Sequence, residues 1–305
     1  MAEPTTTSGS AQPQICVIIA VYNDWAPLEG CLKSLSLQEG AAPFEVVVVD
    51  DGSDQEAPNQ IRNSTAQLTI IRQPHAGTAT ARNLGIRHCN APVLLFTDAD
   101  CRPQPNCISS LSAVLRDHAQ QDYFQLHLIG DCSNLVGRAE ELRLRTIQRQ
   151  TLQSDGRIRY LNTAGFAVRR RCVDAEVGLF DPSAERAEDT LLLASLIERG
   201  DLPVFVSDAV VQHSISLSLM ACLPKDIRSG WIEGSTYTRI RRKGIQIRMG
   251  HWGRIRMLGL TWSIARQASI GKVAWFVLVT RQMLERSATF AYRFWRACFR
   301  RESAA

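Results

Sequence analysis

Phe44-Glu45-Val46-Val47-Val48-Val49-Asp50-Asp51-Gly52-Ser53 is the stretch that decides the fold. Four consecutive valines without polar alternation read as a strand buried on both faces, as in a parallel sheet. The run stops at two carboxylates and an Asp-Gly turn. The same grammar recurs on either side. Ile15-Cys16-Val17-Ile18-Ile19-Ala20-Val21 leads into Tyr22-Asn23-Asp24, and Pro92-Val93-Leu94-Leu95-Phe96 leads into Thr97-Asp98-Ala99-Asp100. Leu68-Thr69-Ile70-Ile71 is a further strand. Between these runs, Leu28, Cys31, Leu32 and Leu35 recur at helical spacing behind Asp24, a candidate N-cap, and Thr78 to His88 reads as a helix. Strands alternating with helices predict an α/β fold with a mostly parallel central sheet flanked by helices. Ligands in such sheets sit at the carboxyl ends of strands, so the three polar clusters are expected to converge on one edge.

Beyond them, Arg138 to Gln153 reads as an amphipathic helix rich in arginine, and Leu161 to Val168 as a loop running into a strand. Ala187 to Arg199 is a helix closed by Gly200. Pro203-Val204-Phe205-Val206 and Ala209-Val210-Val211 are short strands, the second ending at His213.

The 305 residues allow one large domain or two small ones, and 45% hydrophobic with 21% charged residues excludes disorder, collagen and coiled coil for most of the chain. No apolar run reaches the length of a membrane span; the longest, Val273 to Val279, lies between Lys272 and Arg281. Met-Ala-Glu-Pro lacks the basic start and apolar core of a signal peptide, so a cytoplasmic location is expected. The nine cysteines are scattered without a C-x-x-C pair, and reduced thiols are expected rather than zinc or disulfides. The net charge of +5 conceals an asymmetry. Residues 1–224 carry 18 Lys and Arg against 26 Asp and Glu, and residues 225–305 carry 17 against four. The reading is a disordered tail at 1–13, a catalytic domain at 14–224 with its boundary near Pro224, and a basic, amphipathic helical extension at 225–305. That extension holds Arg239-Ile240-Arg241-Arg242-Lys243-Gly244, Arg293, Arg296, Arg300 and Arg301, interleaved with aromatic residues from Trp252 to Phe299. It reads either as a peripheral contact with the cytoplasmic face of an anionic membrane or as an appendage packed on the domain. Nucleic acid is the weaker alternative, since no nucleic-acid-binding motif appears.

Each polar cluster has two readings. Asp98 and Asp100 are a solvated turn, or hard oxygen ligands for Mg²⁺ or Mn²⁺ on a diphosphate. Asp50 and Asp51 belong to a tight turn, or accept hydrogen bonds from a base or ribose, with Gly52 allowing close backbone approach. Glu188 and Asp189 match a helix dipole, or supply a general base that the helix N-terminus keeps ionised. His213 is a structural histidine or a third metal ligand. Neither G-x-G-x-x-G nor a P-loop occurs, which excludes the common dinucleotide and P-loop sites.

Taken together, these pieces resemble the family 2 glycosyltransferases, with the A-type nucleotide-diphospho-sugar transferase fold. The matching segments follow the family's order: Val17 to Asn23, Val48 to Ser53, Gly77 to Ile86, Leu95 to Asp100, Val177 to Asp181 and Ala187 to Leu191. The resemblance covers roughly residues 14–214. The resemblance implies an inverting, metal-dependent transfer from a nucleotide-diphosphate sugar to an acceptor hydroxyl, on a glycan or a lipid-linked sugar. It assigns the nucleotide to Ala20, Tyr22, Asn23, Asp50, Asp51, Arg82 and Asp98. The divalent metal falls to Asp98 and Asp100 with His213, the base to Asp189 with Glu188 beside it, and the acceptor side to Thr163, Gly165 and Phe166. The chain departs from the pattern at His75-Ala76-Gly77, where the family has Asn-Gly. It also lacks the Q-x-x-R-W motif, which implies a non-processive enzyme. The rival readings are a nucleotidyltransferase, which would need a Gly-rich basic loop where Val21-Tyr22-Asn23-Asp24 stands, and a non-catalytic scaffold, which has no need of Asp100, Glu188 and Asp189 together.

Overall fold

The computed structural model describes residues 12–62, 67–184, 186–214, 218–242, 259–266 and 270–299. The strand–helix alternation is present as expected. β1 (Ile15–Val21), α1 (Trp25–Ser36), β2 (Phe44–Asp50), α2 (Asn59–Arg62), β3 (Leu68–Arg72), α3 (Thr78–His88) and β4 (Val93–Asp98) follow in order. Next come β5 (Cys101–Pro103), α4 (Cys107–Asp117), β6 (Tyr123–Gly130), α5 (Leu135–Thr151), β7 (Phe166–Arg169), α6 (Glu188–Arg199) and β8 (Val204–His213). The C-terminal part adds α7 (Leu219–Arg242), a helix α8 over 259–266, and α9 (Lys272–Phe299).

The eight strands form one mixed sheet in the order β3-β2-β1-β4-β7-β6-β8-β5. Its first half, β3-β2-β1-β4, is parallel. β7 enters antiparallel to both β4 and β6, β6 and β8 are parallel, and β5 closes the order antiparallel to β8. Only two residues separate β4 from β5, a reach of about 11 Å at most, yet the two stand far apart in strand order. The sheet therefore curls until its far end returns to the tip of β4. The Asp98-Ala99-Asp100 segment is the hinge of that curl.

Alternation along the strands divides the core in two. Val17, Ile19, Val46 and Val48 face α1 and α4, while Ile18, Val47, Val49 and Phe96 face α3 and α6. α3 lies so close to β1 that a Cβ on Gly85 would approach the Ile18 methyl to 2.5 Å. A third cluster joins α5 to α8 and α9.

Several local expectations change. The two short strands after Pro203 are one, β8, interrupted by an irregularity in register near Ser207 and Asp208. The change of charge at Pro224 falls inside α7 rather than in a linker. α5 begins at Leu135, where Asn134 caps it by accepting from the Gly137 amide at 2.8 Å. Asp24 stands at the N-cap of α1 without a side-chain cap bond. Reduced thiols are expected throughout, but Cys16 and Cys89 are joined in a disulfide; β1 and the end of α3 bring their Cα atoms to 6.1 Å, a juxtaposition invisible across 73 residues of sequence. The other seven cysteines are free, with Cys132 and Cys298 exposed. The tail up to Ala11, together with Lys243, Gly244, Trp252, Arg300 and Arg301, lies outside the described residues.

Candidate functional site

The register sets the site. Ala20 lies level with Val49 and Asp98, and Val21 with Asp50, so the ends of β1, β2 and β4 open on the same edge. The antiparallel pairing of β5 with β8 sets Cys101 opposite His213, beside Asp100.

At the β1–β2 end the polar residues hold one another. The Asp50 carboxylate accepts from the Ser53 amide at 2.8 Å, and Ser53 Oγ accepts from the Asn23 amide at 2.9 Å. Asn23 adopts a left-handed backbone (φ 57°) and exchanges two side-chain bonds with Asp54. Asp51 is buried. Its carboxylate accepts from Gln73 Nε2 (2.6 Å) and from the amides of Ala76 and Gly77 (both 2.9 Å), with His75 Nδ1 also at 2.9 Å. Asp51 thus shapes the turn that replaces the family's Asn-Gly. His75 stacks on the exposed Tyr22 ring at 4.4 Å, forming a flat aromatic surface at the rim.

Across the edge, Arg82 ties the two acidic motifs together. It is buried, donates from Nη2 to Asp98 Oδ1 at 2.7 Å, and donates from Nη1 to Glu188 Oε1 in a shorter bond. Burial lowers the guanidinium pKa, but the carboxylates of Asp98 and Glu188 more than offset that and raise it, so it stays charged. Asp98 is raised by burial, which the Arg82 charge only partly offsets.

Glu188 and Asp189 open α6 after Ala187, whose left-handed backbone (φ 60°) is uncommon for a side chain other than glycine. Asp189 accepts from the Thr190 amide at 2.6 Å. The sequence reading expects an ionised Asp189. The structure moves it the other way: burial and the adjacent Glu188 push its carboxyl up to about 7 against the opposing Thr190 amide and Arg82. A helix terminus favours charge, but lost hydration and a like-charged neighbour outweigh it.

Asp100 is 41% exposed at its side chain, and its Oδ2 lies 3.3 Å from His213 Nε2. Burial would raise the Asp100 carboxyl, but the hydrogen bond and charge of His213 hold it below the usual range. His213 is gripped from behind: its Nδ1 lies 3.5 Å from Glu140 Oε1, and Glu140 takes both arms of Arg143 at 2.6 and 2.8 Å. Burial lowers the imidazole, yet bonds to Asp100 and Glu140 raise it to about 10. Asp24 faces the same spot; burial and the Asp100 charge raise it, and Lys225 on α7 lowers it.

Asp100, Cys101 and His213 offer ligand atoms within 4.8 Å of one another. Burial drives the Cys101 thiol well above its ordinary value. The Asp100 carboxylate at an accessible strand end, with Asp98 two residues away, suits a divalent cation, and His213 could join it only by giving up the proton it shares with Asp100. The third group of expected residues lies deeper. Thr163 and Gly165 are buried in a single 3₁₀ turn, with the Ala164 carbonyl accepting from Thr97 Oγ1 at 3.0 Å. Phe166 is a core residue stacked between Phe96 and Tyr123, so it does not line the open edge as expected.

Glu140 and Arg143 were missed in the sequence; Asp24 was read there as a helix cap within a polar cluster and His75 as a departure from the family's pattern, neither as a site residue. Glu140 and Arg143 sit in an arginine-rich amphipathic helix, where charged residues read as a solvated face. A Glu three positions before an Arg on that helix was the signal available, and it does not show that the Glu is buried.

A sequence model of the family described as Glycosyl transferase family 2 matches residues 16–178. Glycosyltransferase AglE of Haloferax volcanii is 35% identical over 99 residues, 31% of this chain and 33% of that protein. A pre-mycofactocin glycosyltransferase of Mycobacterium tuberculosis is 27% identical over 219 residues, 70% of this chain and 45% of that protein. The matched segments thus span between a third and a half of these relatives. Among solved structures, mannosyltransferase PcManGT from Pyrobaculum calidifontis, in complex with GDP-Man and Mn²⁺, superposes with a TM-score of 0.60 at 16% identity. The superposition covers 96% of this chain and 89% of that one. S. aureus TarS 1–349 with UDP-GlcNAc gives 0.54 at 17% identity, covering 92% of each chain. At these identities the structural likeness establishes the fold.

Proposed function

The chain belongs to glycosyl transferase family 2, and from that premise we propose that it moves a sugar from a nucleotide-diphosphate donor to an acceptor hydroxyl with inversion and without processive elongation. The observation that carries this reading is the single guanidinium of Arg82 joining the Asp98 motif to the Glu188-Asp189 motif across the sheet edge. Donor side and base side are thereby held in one rigid frame. Fold neighbours solved with GDP-Man and Mn²⁺ and with UDP-GlcNAc support a nucleotide-sugar donor.

In this reading Tyr22, Asn23, Asp50, Asp51 and Ala20 form the nucleotide end, with the Tyr22–His75 surface as a stacking platform for the base. Asp98, Asp100 and His213 would hold Mg²⁺ or Mn²⁺, which when bound neutralises charge on the diphosphate. Asp189 accepts the proton of the acceptor hydroxyl as its oxygen bonds to the anomeric carbon and the bond to the diphosphate breaks. A carboxyl poised at about 7 is matched to that task near neutral pH. Thr163 and Gly165 shape the acceptor side. The acceptor is read as a glycan or a lipid-linked sugar.

The Asp189→Asn variant tests the assignment. Transfer should fall about 10²–10⁴-fold while donor affinity, by calorimetry, stays within a factor of a few. Unchanged turnover would remove Asp189 from the mechanism.

A further inference from the structure

α9 carries two apolar faces, and the fold uses one. Ala274, Val277, Leu278 and Tyr292 are buried, and three of them join Ala139 and Leu142 of α5 and Ile264 of α8 in one cluster or lie beside it. On the other side, Val273, Phe276, Met283, Phe290 and Phe294 are each between 59 and 71% exposed. Steps of three, seven, seven and four residues put all five on one stripe of the helix. A helix packed on a domain needs a single apolar stripe. A second one, continuous and in water, marks an interaction surface.

Charge identifies what the stripe meets. Lys272, Arg286 and Arg293 are exposed on the same helix, whereas its sole carboxylate, Glu285, is partly buried. The segment from residue 225 onward holds 17 Lys and Arg against four Asp and Glu. A second copy docking through this face would bring Lys272, Arg286 and Arg293 of both copies to one interface, with no exposed carboxylate of α9 among them. A sheet of anionic headgroups complements them instead. α9 has 28 residues, about 42 Å of helix, and no described helix is apolar enough to cross a bilayer. An amphipathic helix of this kind lies along the interface.

We propose that the exposed stripe of α9 is a docking surface for an anionic lipid bilayer, with the helix axis in the membrane plane. The five apolar side chains enter the boundary between headgroups and acyl chains, and the basic side chains meet lipid phosphates. This goes beyond the donor chemistry and does not depend on it.

Co-sedimentation of the full chain tests the proposal, using vesicles of phosphatidylcholine alone and vesicles mixed with phosphatidylglycerol. The chain should bind the mixed vesicles at least about tenfold more tightly, and added salt should weaken the binding. F290S/F294S alters two exposed positions and should keep the melting temperature and donor response while losing vesicle binding. A chain that stays in the supernatant with mixed vesicles, or a double variant that binds as well as the parent, would overturn the proposal. So would a lipid-free dimer in sedimentation velocity that F290S/F294S converts to monomer, which would assign the face to a second copy.

Discussion

Arg82 is the residue on which both acidic motifs depend. Its two η nitrogens hold Asp98 and Glu188, and its Nε is buried without a partner. Lysine offers a point charge where this site requires a fork. Arg82→Lys should therefore leave one carboxylate unpaired and cost about 3 kcal/mol, read as a lower urea midpoint at unchanged m-value, with weaker donor binding. Asp189 supplies a pH prediction. A carboxyl raised to about 7 is largely protonated below that pH and cannot accept a proton, so kcat/KM should rise with pH and level off above about 7. The linked stability runs the opposite way. The folded-state value lies above the ordinary 3.8, so the native state keeps a proton that the unfolded chain has lost, and stability falls as pH rises from about 4 through about 7. Asp189→Asn should flatten that part of the stability profile. At this scale Asp98, Asp100, Glu188 and Asp189 were legible because strand ends and helix starts expose functional groups. The direction of the Asp189 shift was not, because it depends on which neighbours remove its water.

Among the elements, α7 and α9 run so close that a Cβ on Gly230 would enter the Glu285 backbone. The Thr289 hydroxyl donates to the Gly230 carbonyl at 2.8 Å, and Arg281 grips Asp226 with two bonds of 2.8 Å. Gly230→Ala should force the helices apart and cost about 2 kcal/mol, seen as a lower melting temperature. The parallel strands β1, β2 and β4 were readable because each contains an unbroken run of at least four apolar residues. β8 was misread as two strands because Ser207 and Asp208 break its apolar pattern, while the backbone passes through the irregularity and continues to His213. The helical character of the C-terminal segment was legible from its spacing. The start of α7 before Pro224 was not, because a proline near a change of composition reads as a boundary.

For the whole molecule, the curl of the sheet makes the site. β4 ends at Asp98, β5 begins at Cys101, and only closure of the strand order onto itself brings His213 beside Asp100. Local sequence shows three strand ends converging. It does not show that a strand from the far end returns to them, nor that α5 supplies Glu140 to hold His213 from behind. The disulfide between Cys16 and Cys89 is likewise a product of tertiary placement. The central claim is that this closed edge binds a nucleotide-diphosphate sugar through an ion held at Asp98, Asp100 and His213. The most direct measurement is a thermal-shift panel of UDP-, GDP-, dTDP- and CDP-sugars, each with and without Mn²⁺ or Mg²⁺, on the parent chain and on Asp100→Asn. At a donor concentration of about 100 times Kd, linkage stabilises the fold by about 2.7 kcal/mol. The account predicts that shift for one nucleotide class, only with the ion and only in the parent. Stabilisation by none of the donors, or an equal shift without ion and in Asp100→Asn, would contradict it.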